Sequence, residues 1–255
     1  MVVNILINSE QNVPRVRQYR APIRVLKSMF YKPLRRMRNL LGLMSLMLVL
    51  LLTNTSGAYA ATENESWVVL GDSISAGYGI PDGQGWVTLF QEKLDVSGYS
   101  VQMVNESISG DTTAGGLARL PEILERIKPN TVIIELGGND GLRGLSLSAM
   151  EDNLSKMIDL CLSKNIRVLL LGIKTPPNYG RKYGELFESV FDSVSKQHSV
   201  SLLPFLLEGV GGYQEHMQDD RIHPNKGAQK MLLDNVWTFV EPVLSTLVAK
   251  KNKDI

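Results

Sequence analysis

A serine, an aspartate and a histidine occupy positions in this sequence where they could together perform nucleophilic catalysis. Ser73 follows the apolar run Val68–Leu70 and is itself followed by small residues and glycines, a pattern typical of a strand that ends at a crevice. Asp220 and His223 stand three residues apart, just before a proline. A hydroxyl nucleophile needs a general base, and the base needs a group that orients it. This spacing lets the carboxylate hold one imidazole nitrogen and leaves the other free for Ser73.

The other two histidines of the predicted domain have less suitable surroundings. His198 falls at the end of a predicted helix, and His216 falls in a Gly-rich loop. Pro224 biases His223 towards an extended backbone and disfavours a helix there. The sequence therefore places the imidazole of His223 on a loop, where it can face a crevice.

Two glycine-containing loops follow other predicted strands. In the first, Gly110 permits a close backbone approach, and Asp111 or Thr112 can cap the next helix. In the second, two glycines present Asn139 at the end of a strand. The residues of the first loop are also typical of an ordinary helix start. The composition of the second loop, taken alone, favours a plain Gly/Asn turn.

The elements that must position these loops alternate along the chain from Trp67 onward. Strands are predicted at Trp67–Leu70, Val101–Asn105, Thr131–Leu136, Val168–Leu171 and Ser201–Leu203. Helices are predicted at Gly85–Val96, Thr113–Ile127, Leu147–Ser163, Lys182–His198 and Lys226–Val248. This alternation indicates one three-layer α/β domain with a mostly parallel sheet, right-handed crossovers and functional groups on the loops after the strands.

The first 60 residues differ in composition from the rest of the chain. Nine Lys and Arg residues precede the uncharged run Leu40–Leu52, and the small-residue site Ala58–Ala60 follows it. This order is typical of a secretory signal peptide, and the run is shorter than the roughly 20 residues that a membrane-spanning helix needs. We therefore expect cleavage after Ala60, leaving residues 61–255 as one mature domain without a stable membrane anchor.

Two questions about this leader stay open at the level of sequence. An uncleaved membrane anchor is the alternative to a signal peptide, and Met29 or Met37 could be the true start in place of Met1. With cleavage, the mature protein is expected in the periplasm or outside the cell.

Removal of the leader changes the charge balance. The whole chain carries 27 basic and 26 acidic side chains, and residues 1–60 hold nine of the basic and one of the acidic ones. The remaining domain therefore has 18 basic and 25 acidic side chains and a formal net charge of −7. An acidic body argues against nucleic acid as a partner, since phosphate binding needs clustered Lys and Arg. Cys161 is the single cysteine, which excludes an intrachain disulfide.

Four ordered motifs together resemble the SGNH (GDSL-type) hydrolases. They are Gly71–Ser75, the Gly110 loop, Gly137–Asp140 and Asp220–Pro224. The resemblance extends from about Trp67 to Thr246. The bacterial periplasmic thioesterase/lysophospholipase group is the most similar, through the runs Ser109–Thr112, Ala118–Pro121, Pro177–Tyr183 and Met217–Asp220. The resemblance implies a flavodoxin-like fold with about five parallel strands and helices on both faces.

The resemblance also implies a role for each matching residue. Ser73 would be the nucleophile, His223 the general base and then acid, and Asp220 the group that orients His223. The backbone N–H groups of Ser73 and Gly110 and the side-chain amide of Asn139 would form the oxyanion hole. The implied reaction is acyl transfer to water through an acyl-enzyme.

Two further aspartates near these motifs are interpreted differently. Asp72 is expected to support the turn before the nucleophile through backbone hydrogen bonds. Asp220, and not Asp219, stands at the distance in sequence from His223 that the orienting aspartate has in the family. No cluster of His or carboxylate residues at metal-site spacing accompanies either of them, so we expect no metal and no cofactor.

The substrate groove is expected beside the third and fourth strands. The loop 141–147 and the stretch 173–187 follow those strands and should wall the crevice. Apolar side chains suited to a fatty acyl chain would line it: Leu142, Leu145, Ile173, Pro176, Tyr179, Tyr183, Leu186 and Phe187. Helical periodicity favours a different role for about half of them, and Leu186 and Phe187 also fit a helix that covers the sheet.

The expected partner is a small-molecule or lipid acyl ester or thioester, and the expected oligomeric state is a monomer. Small aryl esters and fatty acyl thioesters should both react, because an oxyanion hole recognises the carbonyl more than the leaving group. Three alternatives stay open: a carbohydrate acetylesterase with the same triad, a lysophospholipase with little thioesterase activity, and a catalytically inactive lipid-binding module.

Overall fold

Five parallel strands form the sheet at the centre of the domain. The computed structural model describes residues 65–251. The strands are β1 (Glu65–Gly71), β2 (Val101–Asn105), β3 (Thr131–Glu135), β4 (Arg167–Leu171) and β5 (Ser201–Leu203). β3 is buried along its whole length, and β1 and β4 are buried except at their first residues. Such continuous burial is expected where helices cover both faces of a parallel sheet.

The strand order brings the loops that carry the candidate site to one edge of the sheet. The order is β2-β1-β3-β4-β5, the flavodoxin-like arrangement. Val69 of β1 pairs with Asn105 of β2, and Gly71 of β1 pairs with Glu135 of β3. The three strands therefore end almost level, and the segments that follow them lie side by side.

Seven α-helices and three short 3₁₀ helices surround the described sheet. The α-helices are α1 (Ser73–Ala76), α2 (Trp86–Val96), α3 (Thr113–Ile127), α4 (Gly138–Leu142), α5 (Leu147–Leu162), α6 (Arg181–His198) and α7 (Gln229–Lys251). The 3₁₀ helices are Pro177–Tyr179, Gln214–His216 and Lys226–Ala228. α2 packs against α7, while α3 packs on α5 and α5 on α6. Because β2 and β3 lie on opposite sides of β1, right-handed crossovers place these two groups on opposite faces of the sheet.

Aromatic side chains fill the core on both faces. On one face Trp67 and Trp86 lie against Phe90, with ring centroids 6.5 Å apart in each pair. On the other face Phe187 and Phe191 of α6 make an edge contact at 5.6 Å. All five side chains are almost fully buried, and large buried aromatic rings contribute strongly to core energetics.

The predicted three-layer α/β architecture is confirmed, and most predicted elements match within one or two residues. Two short helices, α1 and α4, were not predicted, because four or five residues are too few to show a helical period. The last predicted helix, Lys226–Val248, is divided at its start: a 3₁₀ turn precedes α7, which continues to Lys251. β3 ends at Glu135, one residue earlier than predicted.

The predicted signal segment, residues 1–60, lies outside the described residues. Residues 65–251 all belong to one compact unit. Within residues 65–251, no helix has the length and apolarity to cross a membrane.

Candidate active site

Ser73 is the first residue of α1 and lies two residues beyond the end of β1. Asp72 caps this short helix, since its Oδ1 accepts from the N–H of Ile74 at 3.1 Å, as an N-cap carboxylate does. Gly77 ends the helix in the left-handed conformation with φ of 76°, where glycine pays no steric penalty. Ser73 is half-buried, and the turn presents its hydroxyl at the carboxyl edge of the sheet.

The structure brings the three predicted triad residues together. His223 Nε2 lies 2.8 Å from Ser73 Oγ, and His223 Nδ1 lies 2.6 Å from Asp220 Oδ2. These distances are within hydrogen-bond range. The carboxylate can therefore orient the imidazole while the opposite nitrogen faces the hydroxyl, which is the geometry that proton transfer from a serine requires.

Asp220 is held in place by its own loop. Its Oδ1 accepts from the backbone N–H groups of Ile222 at 2.9 Å and of His223 at 3.0 Å. Partial burial alone would raise the pKa of this carboxyl, but the hydrogen bonds from His223 and Ile222 outweigh it, and the net pKa is lowered. Asp220 is thus kept ionised beside the imidazole. Arg221, between them, adopts φ of 59°, which tightens the turn.

The predicted oxyanion donors lie on the three segments that follow β1, β2 and β3. Ser73 follows β1, Gly110 lies in the loop after β2, and Asn139 is in α4 after β3. Among the described residues, the backbone N–H groups of Ser73 and Gly110 donate no hydrogen bond to a backbone carbonyl. Both remain available for a substrate oxygen. Gly110 has φ of 81°, a left-handed conformation that favours glycine.

Asn139 is positioned by two buried carboxyl groups. Its Nδ2 donates to Oδ2 of Asp72 at 3.1 Å, which uses one of the two hydrogens on that amide. The next residue, Asp140, accepts from the N–H of Thr113 at 2.9 Å and from its hydroxyl at 2.6 Å. α4 is therefore fixed both to the nucleophile turn and to the start of α3.

A buried glutamate lies beside Asp72 under the nucleophile turn. Glu135 is fully buried, and its Oε2 accepts from Ser75 Oγ at 2.7 Å and from the Asp72 N–H at 3.3 Å. Burial raises the pKa of Asp72 to about 6, and burial together with repulsion from Asp72 raises the pKa of Glu135 well above its usual range. Two carboxyl groups thus share one water-excluded pocket beneath Ser73.

Two arginines that the sequence did not assign a role hold the Gly110 loop. Arg119 of α3 donates from Nε to Asp111 Oδ2 at 2.8 Å, from Nη2 to the Gly71 carbonyl at 3.3 Å and from Nη1 to the Glu106 carbonyl. Arg143 donates from Nη2 to the Gly110 carbonyl at 2.8 Å. The loop is thereby tied to the end of β1 and to α4. Arg119 lies in one of the family-like runs, but nothing in the sequence points to its partners.

Two tyrosines of the predicted substrate wall bond to backbone carbonyls of α4. Tyr179 Oη donates to the Leu142 carbonyl at 2.8 Å, and Tyr183 Oη donates to the Gly141 carbonyl at 3.2 Å. The two rings stack with centroids 6.1 Å apart. These bonds join the segment after β4 to α4, the helix that carries Asn139.

The remaining predicted lining residues differ in exposure. Leu145 is 44% exposed beyond α4, whereas Ile173 is buried and Pro176 is half-buried. Phe187 is fully buried and Leu186 is 51% exposed. Phe187 therefore covers the sheet, which was one of its two predicted roles, and Leu186 faces solvent.

The other predicted residues have local structural roles. Thr112, not Asp111, is the N-cap of α3, and its hydroxyl accepts from the Gly115 N–H at 3.3 Å. His198 Nδ1 lies 3.1 Å from Asp159 Oδ1. Within the described residues, no group of three or more His, Cys, Asp or Glu side chains is placed to hold a metal ion.

The model of the GDSL-like Lipase/Acylhydrolase family matches residues 69–231, which include all three triad residues. Among curated relatives, Esterase TesA of Pseudomonas aeruginosa is 52% identical over 180 residues, covering 71% of this chain and 90% of the relative. An arylesterase of Vibrio mimicus is 42% identical over 197 residues, covering 77% and 96%. Thioesterase 1/protease 1/lysophospholipase L1 of Escherichia coli is 39% identical over 187 residues, covering 73% and 88%.

Solved structures are similar over the same region. The crystal structure of TesA superposes with a TM-score of 0.69 at 52% identity, covering 70% of this chain and 99% of that chain. The psychrotrophic esterase EstA from Pseudoalteromonas sp., inhibited by monoethylphosphonate, has a TM-score of 0.68 at 38% identity, covering 71% and 99%.

Proposed function

The chain belongs to the GDSL-like lipase/acylhydrolase family, and we propose that it is a serine esterase that hydrolyses fatty acyl esters and thioesters through an acyl-enzyme on Ser73. The observation that carries the proposal is the continuous run of hydrogen bonds from Asp220 through His223 to Ser73. Family membership supplies the reaction class, ester hydrolysis, and the site supplies the groups that this reaction needs.

In the first half of the reaction, Ser73 Oγ attacks the carbonyl carbon of the substrate. His223 Nε2 takes the hydroxyl proton, and the carbonyl oxygen becomes an oxyanion that Ser73 N–H, Gly110 N–H and the Asn139 amide stabilise. The C–O or C–S bond to the leaving group then breaks. The imidazolium gives its proton to the departing alcohol or thiol, which leaves the acyl group on Ser73.

In the second half, water replaces the leaving group. His223 accepts a proton from the water as its oxygen attacks the acyl carbon, and the same donors stabilise the second oxyanion. Collapse releases the carboxylic acid, and the proton returns to Ser73 Oγ. Asp220, ionised by its hydrogen bonds, stabilises the imidazolium in both halves.

The names of the relatives support the breadth of the proposed substrate range. One is called an arylesterase and another a thioesterase and lysophospholipase. The tyrosine-bonded wall after β4 and the exposed Leu145 support an acyl chain as the group bound beside Ser73.

A substrate panel tests this proposal. The purified protein would be assayed with p-nitrophenyl esters from acetyl to palmitoyl, palmitoyl-CoA, lysophosphatidylcholine and acetylated xylan, and scored by kcat/KM because that ratio measures discrimination. We expect turnover of aryl esters and of palmitoyl-CoA, with acyl chains longer than acetyl preferred. A sharp preference for acetyl groups would indicate a carbohydrate acetylesterase. Binding of acyl compounds without turnover would indicate a lipid-binding module.

We further propose that the enzyme acts in the periplasm or outside the cell, as a monomer released from its leader. The support is the basic, apolar and small-residue order of residues 1–60. Amino-terminal sequencing of the exported protein should find a start near Ala61, and retention of Leu43 to Leu52 would contradict cleavage. Size-exclusion chromatography with light scattering would test the monomer.

A further inference from the structure

Gln218 connects the two catalytic segments of the chain. Its side-chain Nε2 donates to the Tyr78 carbonyl at 2.7 Å and to the Pro224 carbonyl at 3.0 Å. Tyr78 follows the nucleophile helix α1, and Pro224 directly follows His223. Both hydrogens of one amide are therefore used to join segments that are about 140 residues apart in sequence.

The backbone of Gln218 is fixed within the loop that carries Asp220 and His223, residues 214–225, which we call the histidine loop. Its N–H donates to the His223 carbonyl at 2.8 Å, and its carbonyl accepts from the Arg221 N–H at 2.9 Å. Met217 and Pro224 form an antiparallel bridge beside it. The backbone of Gln218 is thus bonded directly to that of His223.

Tyr78, whose carbonyl accepts from Gln218, is bonded to the segment that carries Ser73. Tyr78 donates its N–H to the Ser73 carbonyl at 3.0 Å, and its ring lies against the His223 ring with centroids 4.6 Å apart. Gly79 leaves room for the amide, because a Cβ at that position would come within 3.0 Å of Gln218 Nε2. The carbonyl that Gln218 bonds is therefore attached directly to the segment that carries Ser73.

We propose that Gln218 is a positioning residue, which sets the approach of His223 to Ser73 by bonding one amide to a carbonyl of each segment. This inference rests on the proposed function, in which that approach controls the proton transfer. Gln218 acts through the two segments and does not touch the reacting atoms. A displacement of about 1 Å at a reacting pair can cost roughly 100-fold in rate, so loss of the amide should lower turnover without weakening substrate binding.

Two substitutions test the proposal in the purified protein. Gln218→Met keeps the length of the side chain but has no donor, and Gln218→Glu keeps its shape but is ionised at neutral pH and cannot donate. With p-nitrophenyl butyrate, we expect kcat to fall roughly 10- to 100-fold for each, with KM within about twofold of wild type. The rate at which a fluorophosphonate labels Ser73 should fall by a similar factor, because labelling uses the same Ser–His pair.

Asn225→Asp is the matched control. The Asn225 amide also donates to two carbonyls, those of Glu215 at 2.8 Å and Met217 at 3.4 Å, but both lie within the histidine loop. This change should lower the melting temperature while leaving kcat within about threefold of wild type. Circular dichroism and thermal melts would verify that each variant is folded.

The possible outcomes separate this proposal from the proposed function. Folded Gln218 variants with wild-type kcat, or an equal loss of kcat in Asn225→Asp, would overturn the positioning role. If only one Gln218 variant folds, it decides the question by itself. Ser73→Ala measured in the same assay tests the proposed function: an inactive Ser73→Ala beside a fully active Gln218→Met would refute the role of Gln218 alone.

Discussion

The side-chain amide of Asn139 donates to the carboxylate of Asp72, with 3.1 Å between Nδ2 and Oδ2. The other oxygen of the same carboxylate caps the nucleophile helix through the Ile74 N–H. One buried side chain therefore connects the turn that presents Ser73 with the amide proposed to stabilise the oxyanion. This connection makes the two parts of the site interdependent.

A double-mutant cycle tests that interdependence. Asn139→Ala should lower kcat roughly 10²- to 10³-fold, as expected for loss of one oxyanion donor. Asp72→Ala should lower kcat less in the Asn139→Ala background than in the wild type, because the bond between the two side chains is then already lost. Steady-state kinetics on a p-nitrophenyl ester measures all four proteins. Full additivity of the two effects would contradict a shared role.

The raised pKa of Asp72 predicts a pH-dependent cost to stability. Burial raises this pKa from 3.8 to about 6, so the folded state favours the protonated carboxyl. The resulting stabilisation is complete below about pH 3.8 and is lost as the pH rises through about 6. Its size is on the order of 2–3 kcal/mol.

Asp72→Asn removes this titration. Relative to wild type, the free energy of unfolding of the variant should increase by on the order of 2–3 kcal/mol between pH 4 and pH 7.5, because only the wild type loses stability over this range. Loss of repulsion on Glu135 acts in the same direction. Urea denaturation at the two pH values measures the difference, and a difference that does not change with pH would refute the prediction.

Truncation of two neighbouring residues of α6 should change stability by very different amounts. Phe187 is fully buried, so Phe187→Ala should lower the free energy of unfolding by about 3–5 kcal/mol. Leu186 is 51% exposed, and Leu186→Ala should change it by less than about 0.5 kcal/mol. Chemical denaturation of both variants provides the comparison. Equal losses would mean that the burial of α6 is assigned incorrectly.

Two adjacent aspartates provide a comparison within the histidine loop. Asp220 holds His223 Nδ1 at 2.6 Å, so Asp220→Ala should lower kcat roughly 10³- to 10⁴-fold. Asp219 is exposed, and Asp219→Ala should change kcat by less than about threefold. Kinetics on the same aryl ester distinguishes them, and a larger loss for Asp219→Ala would reverse the assignment.

The elements with a clear period could be predicted from the sequence. Thr113–Ile127 matches α3 at both ends, because its apolar residues repeat with helical spacing over four turns. α1 and α4 could not be predicted, since each is shorter than two turns and is fixed by tertiary contacts, such as those of Asn139 with Asp72 and of Thr113 with Asp140.

The candidate site was predictable only in part, because many of its contacts join residues that are far apart in sequence. Asp220 and His223 lie three residues apart, so their pairing could be inferred from local spacing. The bond between Asp72 and Asn139 spans 67 residues, and the bond between Gln218 and Tyr78 spans 140. Such contacts depend on strand register and loop conformation, which no local pattern in a single sequence encodes.

The hydrolysis of p-nitrophenyl butyrate by purified wild-type protein and by Ser73→Ala tests directly whether Ser73 is the nucleophile. Ser73 Oγ lies 2.8 Å from His223 Nε2, and no other hydroxyl is proposed to attack the substrate. We expect wild-type turnover and a loss of roughly 10⁴-fold or more in kcat/KM for the folded Ser73→Ala variant. Turnover by Ser73→Ala at the wild-type rate would contradict a serine esterase that works through Ser73.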